Sequence, residues 1–570
     1  MSSKHNLFLV RSLNYLKRIH LPSYIAMRLF ALSVASDKKS AWLENFIRRK
    51  VDLRKKARYI PFKVLKSVYS DNTTVCRDFY SASPVVAMTE AWLLNELANC
   101  ADFQPKECVY SYLWPTGNSG SSFKFFVQGY HDRNEVIANS LKSIPDSGFL
   151  ITDIQNFYPS IPRELLLSKI KAKFASSGLS EELKSIALDL SIASLPSGAS
   201  GGIAIGPAIS HVLANVFMEE FDGQMSERCP GRYFRYVDDI VVVDKISNLA
   251  EHKSYIVKLM KSQGLNIHEG KTEILHAEDW HQHFPRYPKS GVSFQEFQRD
   301  LHIFFMLYPS RFDKVKSEFA KEGINLPLNR YIADSRYSRF RHYVLRDFSA
   351  IFKNIFISES DLLKSAVALR EALFKELKIL RKQLDGLPPT QYRWQIKKLR
   401  HRANPLIYLF PVAEYSKVIE LLKGVPEFYD TVAVLGALIQ QDPTKLLHMP
   451  GAPIRTFAEI AKELGFKKSH YPYPVISDIH VDSVCVLLLN ELIELDATIY
   501  EAGAHSEILS FCAMRPLMNI ESNDFTYINE IRCLQLNASK NLMASFMKTR
   551  FDSDEESILN ALTLGDNYYY

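Results

Sequence analysis

The 570-residue chain has no apolar run long enough to cross a bilayer and no paired cysteines. Its best membrane candidate, YIAMRLFALSVA from Tyr24 to Ala35, carries Arg28 and is shorter than the roughly 20 apolar residues a span needs. That stretch reads as an amphipathic helix of a soluble protein, with no membrane partner. No signal peptide is visible, since Arg11, Lys17 and Arg18 break the apolar segments near the start. The seven cysteines (76, 100, 108, 229, 485, 512 and 533) are odd in number and scattered, without a Cys-x-x-Cys pair or a histidine-rich cluster. Neither a disulfide framework nor a zinc site is indicated, and a reducing cytoplasm fits.

What is present is a globular composition. Hydrophobic residues make up 47% and charged ones 23%, ample to bury the roughly two to four domains that the length suggests. The formal charge of +7 is a mild excess that hints at an anionic partner. Texture divides the chain in three. Residues 1–60 read as helical and basic, ending in RRKVDLRKKARY. Strands and helices alternate over 61–325, and 326–570 is helical. There Leu362, Ala366, Leu369, Leu373, Leu377, Leu380 and Leu384 form one stripe of a long amphipathic helix, which Ser358 and Asp361 would cap. Short helices should follow, broken by Pro388, Pro389, Pro405, Pro411, Pro426, Pro443 and Pro450. No fixed repeat period marks them.

The chemistry starts at FRYVDDIVVV. Asp238 and Asp239 stand side by side at the expected turn of an otherwise apolar hairpin. An isolated Asp-Asp pair would simply be turn residues. A third carboxylate changes that reading: in GFLITDIQNFYPSI, Asp153 ends a probable strand and would reach the same face if the two strands are neighbours. Buried adjacent carboxylates need a cation, and hard Mg²⁺ needs only one or two of them, leaving its other positions to water or phosphate. Aspartates from two strand ends would hold two ions about 4 Å apart, the arrangement of nucleotidyl transfer.

The order ITDIQNFYPSI, GIAIGPAISHVLANVF, RYVDDIVVV and GLNIHEGKTEI resembles palm motifs A, B, C and D of reverse transcriptases. The Phe-Tyr-Pro-Ser-Ile and Ile-Gly-Pro wording is similar to bacterial antiphage reverse transcriptases of the abortive-infection and "unknown group" lineages. The resemblance implies an α+β fingers and palm domain over 61–325. It also implies an all-α C-terminal domain, HEAT-like in that group, in thumb position. It makes Asp153, Asp238, Asp239 and the carbonyl of Ile154 the ligands of two Mg²⁺ ions, with Mn²⁺ as a substitute. Tyr158 would lie under the sugar and clash with a ribose 2′-hydroxyl, selecting dNTPs. Gly206 would let backbone approach the base pair, and Ser210 and Asn215 match positions on the motif B helix. Lys271 would serve the pyrophosphate as acid or counter-charge. Arg77 would grip the triphosphate, with Lys124 as a second cation. Ile203, Ala204 and Ile205 stand where many relatives read Leu-Pro-Gln or Leu-Pro-Ile, which leaves the usual glutamine bond to the template, and with it template handling, open.

The lineage implies a bacterial, cytoplasmic, homo-oligomeric defence enzyme that copies a bound non-coding RNA or makes DNA without a template. In the second case a protein tyrosine would prime, and Tyr568, Tyr569 and Tyr570 are the candidates. Two alternatives compete. An RNA-dependent RNA polymerase is opposed by Tyr158, and an inactive nucleic-acid-binding scaffold is opposed by the intact carboxylate trio. Two further features stand apart from that resemblance. His281 and His283 in DWHQHF would share one side of a strand but lack a third ligand for a metal. The stretch from Leu380 to Arg402 interleaves cations with Tyr392 and Trp394, a mixture suited to nucleic acid.

Overall fold

The computed structural model describes residues 2–33, 59–69, 73–117, 119–196, 202–284, 293–331, 348–470, 480–502 and 506–513. Two compact units emerge. The described residues of 2–62 and 78–284 form the first, and those of 63–77 and 293–513 the second. The basic run before Tyr59 and the C-terminal tyrosines lie outside the described residues.

In the first unit, helices Ser2–Ile19 and Leu21–Ser33 pack with helix Pro84–Ala98. Tyr24, Ile25, Ala26 and Met27 of the former membrane candidate are buried in that packing. No described helix is long and apolar enough to cross a membrane. Strands β1 (Tyr59–Val68) and β2 (Thr74–Ala82) pair as a two-stranded sheet, of which only 59–62 and 78–82 belong to this unit. The centre of the unit is a four-stranded antiparallel sheet of β3 (Ser147–Asp153), β4 (Tyr233–Tyr236), β5 (Asp239–Lys245) and β6 (Glu273–His276), in the order β4-β5-β3-β6.

Aromatic and β-branched residues write these strands, as a pleated and half-buried surface favours. In β5, Ile240, Val241, Val242 and Val243 are all fully buried, so both of its faces are covered. Each such side chain contributes about 1.5–3 kcal/mol by burial, which fixes the register firmly. That register runs from Ser147 opposite Lys245 to Asp153 opposite Asp239. Hydrophobic pairing in the middle of the sheet therefore decides where the acidic ends meet.

The second unit is dominated by helices. Helix Glu359–Lys382 buries Leu362, Ala366, Leu369, Leu373 and Leu377, and Ser358 and Asp361 form its reciprocal cap. The stripe outlasts the helix, because Gln383 already caps it and Leu384 is buried beyond its end. Pro405 does not break a helix. It lies inside Pro389–Leu409, where it forfeits one backbone hydrogen bond. Nor is the region purely α, since Ser469–His470 and Ile493–Glu494 form a short parallel ladder.

Candidate active site

Val237 and Asp238 are the two residues that link β4 to β5, with Tyr236 and Asp239 as the closing pair. Val237 has φ +56°, a left-handed conformation that a β-branched residue avoids and that costs on the order of 1–3 kcal/mol. The surroundings hold it there from both sides. Its N–H donates to Ser111 Oγ at 2.9 Å, and its carbonyl accepts from Arg235 Nη1 at 3.0 Å. Arg235 is fully buried and spends its remaining donors on Asp222, through Nε at 2.8 Å and Nη2 at 2.7 Å, and on Asn215 Oδ1 at 3.2 Å. The Tyr233 hydroxyl completes Asp222 at 2.7 Å. On the sheet side, the Ile154 amide donates to the carbonyl of Asp238 at 3.1 Å. The turn is a fixed object.

Three carboxylates meet there. Asp153 faces Asp239 across the β3–β5 ladder, and Asp238 feels the charge of both. Burial first, and then the charges of Asp239 and Asp153, push the Asp238 carboxyl up to about 7. The Lys271 ammonium bonds Asp153 Oδ2. Its short turn, Glu269–Lys271, is moored to the end of β3 by His268 N–H to the Asp153 carbonyl at 2.7 Å and by Thr152 to Thr272 at 2.7 Å.

Among the described residues no three His, Cys, Asp or Glu side chains stand ready to cage a metal ion. A closed cage is not what this chemistry needs, because Mg²⁺ keeps several waters and takes one or two carboxylates with substrate phosphates. Burial and the neighbouring carboxylates disfavour ionised Asp238, and a divalent cation would offset that cost. The donor set fits one.

Beside the carboxylates stands Tyr158, largely buried, with its hydroxyl 2.7 Å from His211 Nδ1. The motif B loop docks on it: Ile203 N–H donates to the Tyr158 carbonyl at 2.8 Å, and a Cβ at Gly202, φ +84°, would meet Pro159 and Tyr158 backbone at 2.6 Å. Gly206, φ +122°, is also obligatory, but its close neighbour is the backbone of Tyr80 on β2, whose N–H donates to the Ile205 carbonyl at 2.8 Å. The glycine thus admits the backbone of β2. Ile203 and Ala204 are buried in the same docking, so they present no side chain to a template.

Pro207 is the N-cap of helix Ala208–Arg228, and Glu90 satisfies the helix's first amides, accepting from Ala208 N–H at 3.1 Å and Ile209 N–H at 3.5 Å. Ser210 on this helix is fully buried, and its hydroxyl has no hydrogen-bond partner among the described residues. Its expected nucleotide contact is not offered by this arrangement. Asn215 faces Arg235 instead of substrate.

The remaining candidates separate. Lys124 pairs with Asp132 at 2.8 Å. Arg77 is exposed on β2, in the part of that strand assigned to the second unit. His281 and His283 lie on helix Ala277–His283, not on a strand, and a two-residue spacing on a helix points them to different faces. In the 380–402 stretch Trp394 is buried, Tyr392 bonds Glu427 at 3.0 Å, Arg400 pairs with Asp430 at 2.9 Å and Arg402 with Glu376. Much of its nucleic-acid-like chemistry is internally committed. Tyr568, Tyr569 and Tyr570 are outside the described residues.

Sequence reasoning missed Ser111, Tyr112, His211, Asp222, Arg235 and Glu90. The one available signal was Arg235 itself, since an arginine within an apolar strand needs an acid partner.

Residues 104–304 match the family model described as reverse transcriptase (RNA-dependent DNA polymerase). No curated protein matches the chain. Among solved structures, apo telomerase from Candida tropicalis truncated from its C-terminal domain is 11% identical, with a TM-score of 0.26 over 37% of this chain and 49% of that one. Telomerase from Candida albicans in complex with a fragment of telomeric RNA is 12% identical, with a TM-score of 0.28 over 70% of each chain. Apo telomerase from Candida tropicalis is 10% identical, with a TM-score of 0.27 over 80% and 70%. This chain thus spans about half the length of the first of these, 49%. Overlaps so loose say nothing of its substrate or partners. The family match takes in the central sheet, the strained turn, all three aspartates, Tyr158 and Lys271, and the chain therefore carries a reverse transcriptase domain, the domain of a DNA-polymerising nucleotidyltransferase.

Proposed function

We propose that this chain extends DNA from dNTPs by nucleotidyl transfer at Asp153, Asp238 and Asp239, copying an RNA template. The observation that carries the reading is the register that sets Asp153 opposite Asp239, beside a turn where burial and both neighbours disfavour ionised Asp238, as a cation site does before its ion binds. Reverse transcriptase domains use divalent metal ions, and two Mg²⁺ are the fit for these hard oxygen donors. Such ions, when bound, would supply charge stabilisation at the reacting oxygens.

The chain's own residues do the rest. The clamped turn fixes the direction of the Asp238 and Asp239 carboxylates before substrate arrives. Lys271 neutralises Asp153 in the resting site, and it stands where it can turn to the pyrophosphate as counter-charge or acid. Tyr158 lies within electrostatic reach of Asp238, as a sugar-sensing ring must. We read 61–325 as fingers and palm and 326–570 as a helical domain in thumb position. The motif wording supports a role in antiphage defence.

The test is incorporation of dNTPs and NTPs by the purified full chain on a primed RNA template, a primed DNA template and no template, with Mg²⁺ or Mn²⁺. Asp238→Asn and Asp239→Asn should each abolish incorporation while leaving the thermal unfolding midpoint near that of the wild type. Incorporation that persists in both variants, or a wild type that takes only NTPs, would overturn the reading.

A further inference from the structure

Tyr158 is held by neighbours that the reaction itself does not require. Its hydroxyl meets His211 Nδ1 at 2.7 Å, and the Tyr112 hydroxyl is a second polar neighbour. His211 is itself immobilised. Its ring lies flat on Tyr112, with centroids 3.6 Å apart and planes 9° from parallel. Phe123 closes the group edge-on, 5.5 Å from Tyr112 and 5.8 Å from His211, and is backed by Trp114 stacked at 5.4 Å. Tyr112 adopts φ +52°, an uncommon backbone for a large side chain, directly after the Ser111 that clamps Val237. One short segment therefore fixes both the metal-binding turn and the partner of Tyr158.

A ring that excludes a 2′-hydroxyl works only if it cannot yield, because a side chain that swings aside admits the extra oxygen. Discrimination between a hydrogen and a hydroxyl in an apolar contact is otherwise weak. We propose that His211, braced by Tyr112, is a specificity-determining positioning residue: it locks the Tyr158 ring and so sets the preference for dNTPs over NTPs. This rests on the function proposed above and adds a residue to it. His211 touches no substrate; it acts through Tyr158. Its neighbour Ser210, on the same helix but buried without a partner, has no comparable hold on the ring.

The experiment measures kcat/KM for a dNTP and the matching NTP on one primer–template with the full chain. The readout is the NTP/dNTP ratio, which a general loss of active enzyme cannot move. Tyr158→Val reports the gate, and His211→Ala and His211→Phe remove the hydrogen bond, the second while keeping an aromatic stack on Tyr112. His211→Asn restores a polar atom near Nδ1. Loss of one hydrogen bond should raise the ratio by about tenfold, or about 1.4 kcal/mol. We expect that rise in His211→Ala and His211→Phe, a larger one in Tyr158→Val, and recovery toward the wild-type ratio in His211→Asn. If Tyr158→Val raises the ratio and neither His211→Ala nor His211→Phe does, the lock is refuted while the polymerase reading stands. If Tyr158→Val leaves the ratio unchanged, the gate and the lock fall together. A wild type that incorporates no dNTP refutes the functional reading itself. Should His211→Ala prove insoluble, His211→Phe and His211→Asn decide alone.

Discussion

Arg235 grips Asp222 with two nitrogens, Nε to Oδ1 at 2.8 Å and Nη2 to Oδ2 at 2.7 Å, and both side chains are almost wholly buried. A buried pair of this kind is strongly destabilising to break, since the survivor keeps an uncompensated charge, yet replacing both partners by apolar residues is often tolerated. What sets this pair apart is the third bond, from Nη1 to the Val237 carbonyl. Arg235→Met should therefore lose about 3–5 kcal/mol of stability in urea denaturation. The double variant Arg235→Met with Asp222→Leu should regain most of it but not the dNTP incorporation rate, because the Val237 carbonyl then loses its donor and the strained turn is held from the Ser111 and Ile154 sides alone. Full activity in a stable double variant would show that the turn needs no grip.

Gly206 offers a sharper steric test. At φ +122° an L side chain is strained whatever the space, and a Cβ there would run into the backbone oxygen of Tyr80, which cannot swing away. Gly206→Ala should cost more than about 2 kcal/mol and detach the motif B loop from β2. Limited proteolysis within 202–206 of that variant, against the wild type, checks it. Cleavage rates that do not change would mean the loop is not docked as described.

How much of this was legible beforehand depended on the kind of contact. The alternation and β-branched content of FLITD and IVVV announce two strands, and the acids at their ends need only the strands to be neighbours, which the register supplies. The helix Glu359–Lys382 follows from apolar spacing with a cap at its start. Groups whose partners are distant in sequence stayed hidden. Asp222 reads as one more acid on the helix bearing Glu219 and Glu220, and only packing against Tyr233 and Arg235 turns it inward. His211 sat in plain view within a motif, but Tyr112, the ring it lies on, has no local signal. The helix of His281 and His283 has little local signal, since its cap is made by His276 with Asp279, a pairing outside the usual Ser, Thr or Asn signals. At Gly206 a close backbone approach is legible in the residue type, but that its protein neighbour is Tyr80 is not.

Glu90 should leave its mark in the pH dependence of stability. Burial raises its carboxyl from 4.5 to about 7, against the opposing pull of hydrogen bonds from Tyr59, Ala208 and Ile209. Between those two values the native state binds more proton than the unfolded chain, so the contribution of Glu90 is fully present below about pH 4.5 and is lost as pH rises through 7. The loss from this group is at most about 3–4 kcal/mol at 1.36 kcal/mol per pH unit. Glu90→Gln keeps an acceptor for the helix amides and removes the titration. In urea denaturation at pH 5.5 and pH 8, the variant should gain stability relative to the wild type at the higher pH. A difference between the two proteins that does not change with pH would place the burial cost elsewhere.

Lys271 occupies the place beside Asp153 that a divalent cation would contest. Removing its charge should have two opposite effects. Asp153 becomes a better ligand, so Lys271→Met should reach half-maximal rate at a lower Mg²⁺ concentration than the wild type. The leaving pyrophosphate loses its cation, so the saturated rate should fall about 10²-fold, the low end for a displaced general acid. A purely electrostatic counter-ion would give the first effect with little of the second. Titrating Mg²⁺ from a chelated, inactive protein in both forms reads the two effects separately. If half-saturation rises in Lys271→Met, the lysine assists metal binding, and its contact with Asp153 orients the carboxylate instead of competing for it.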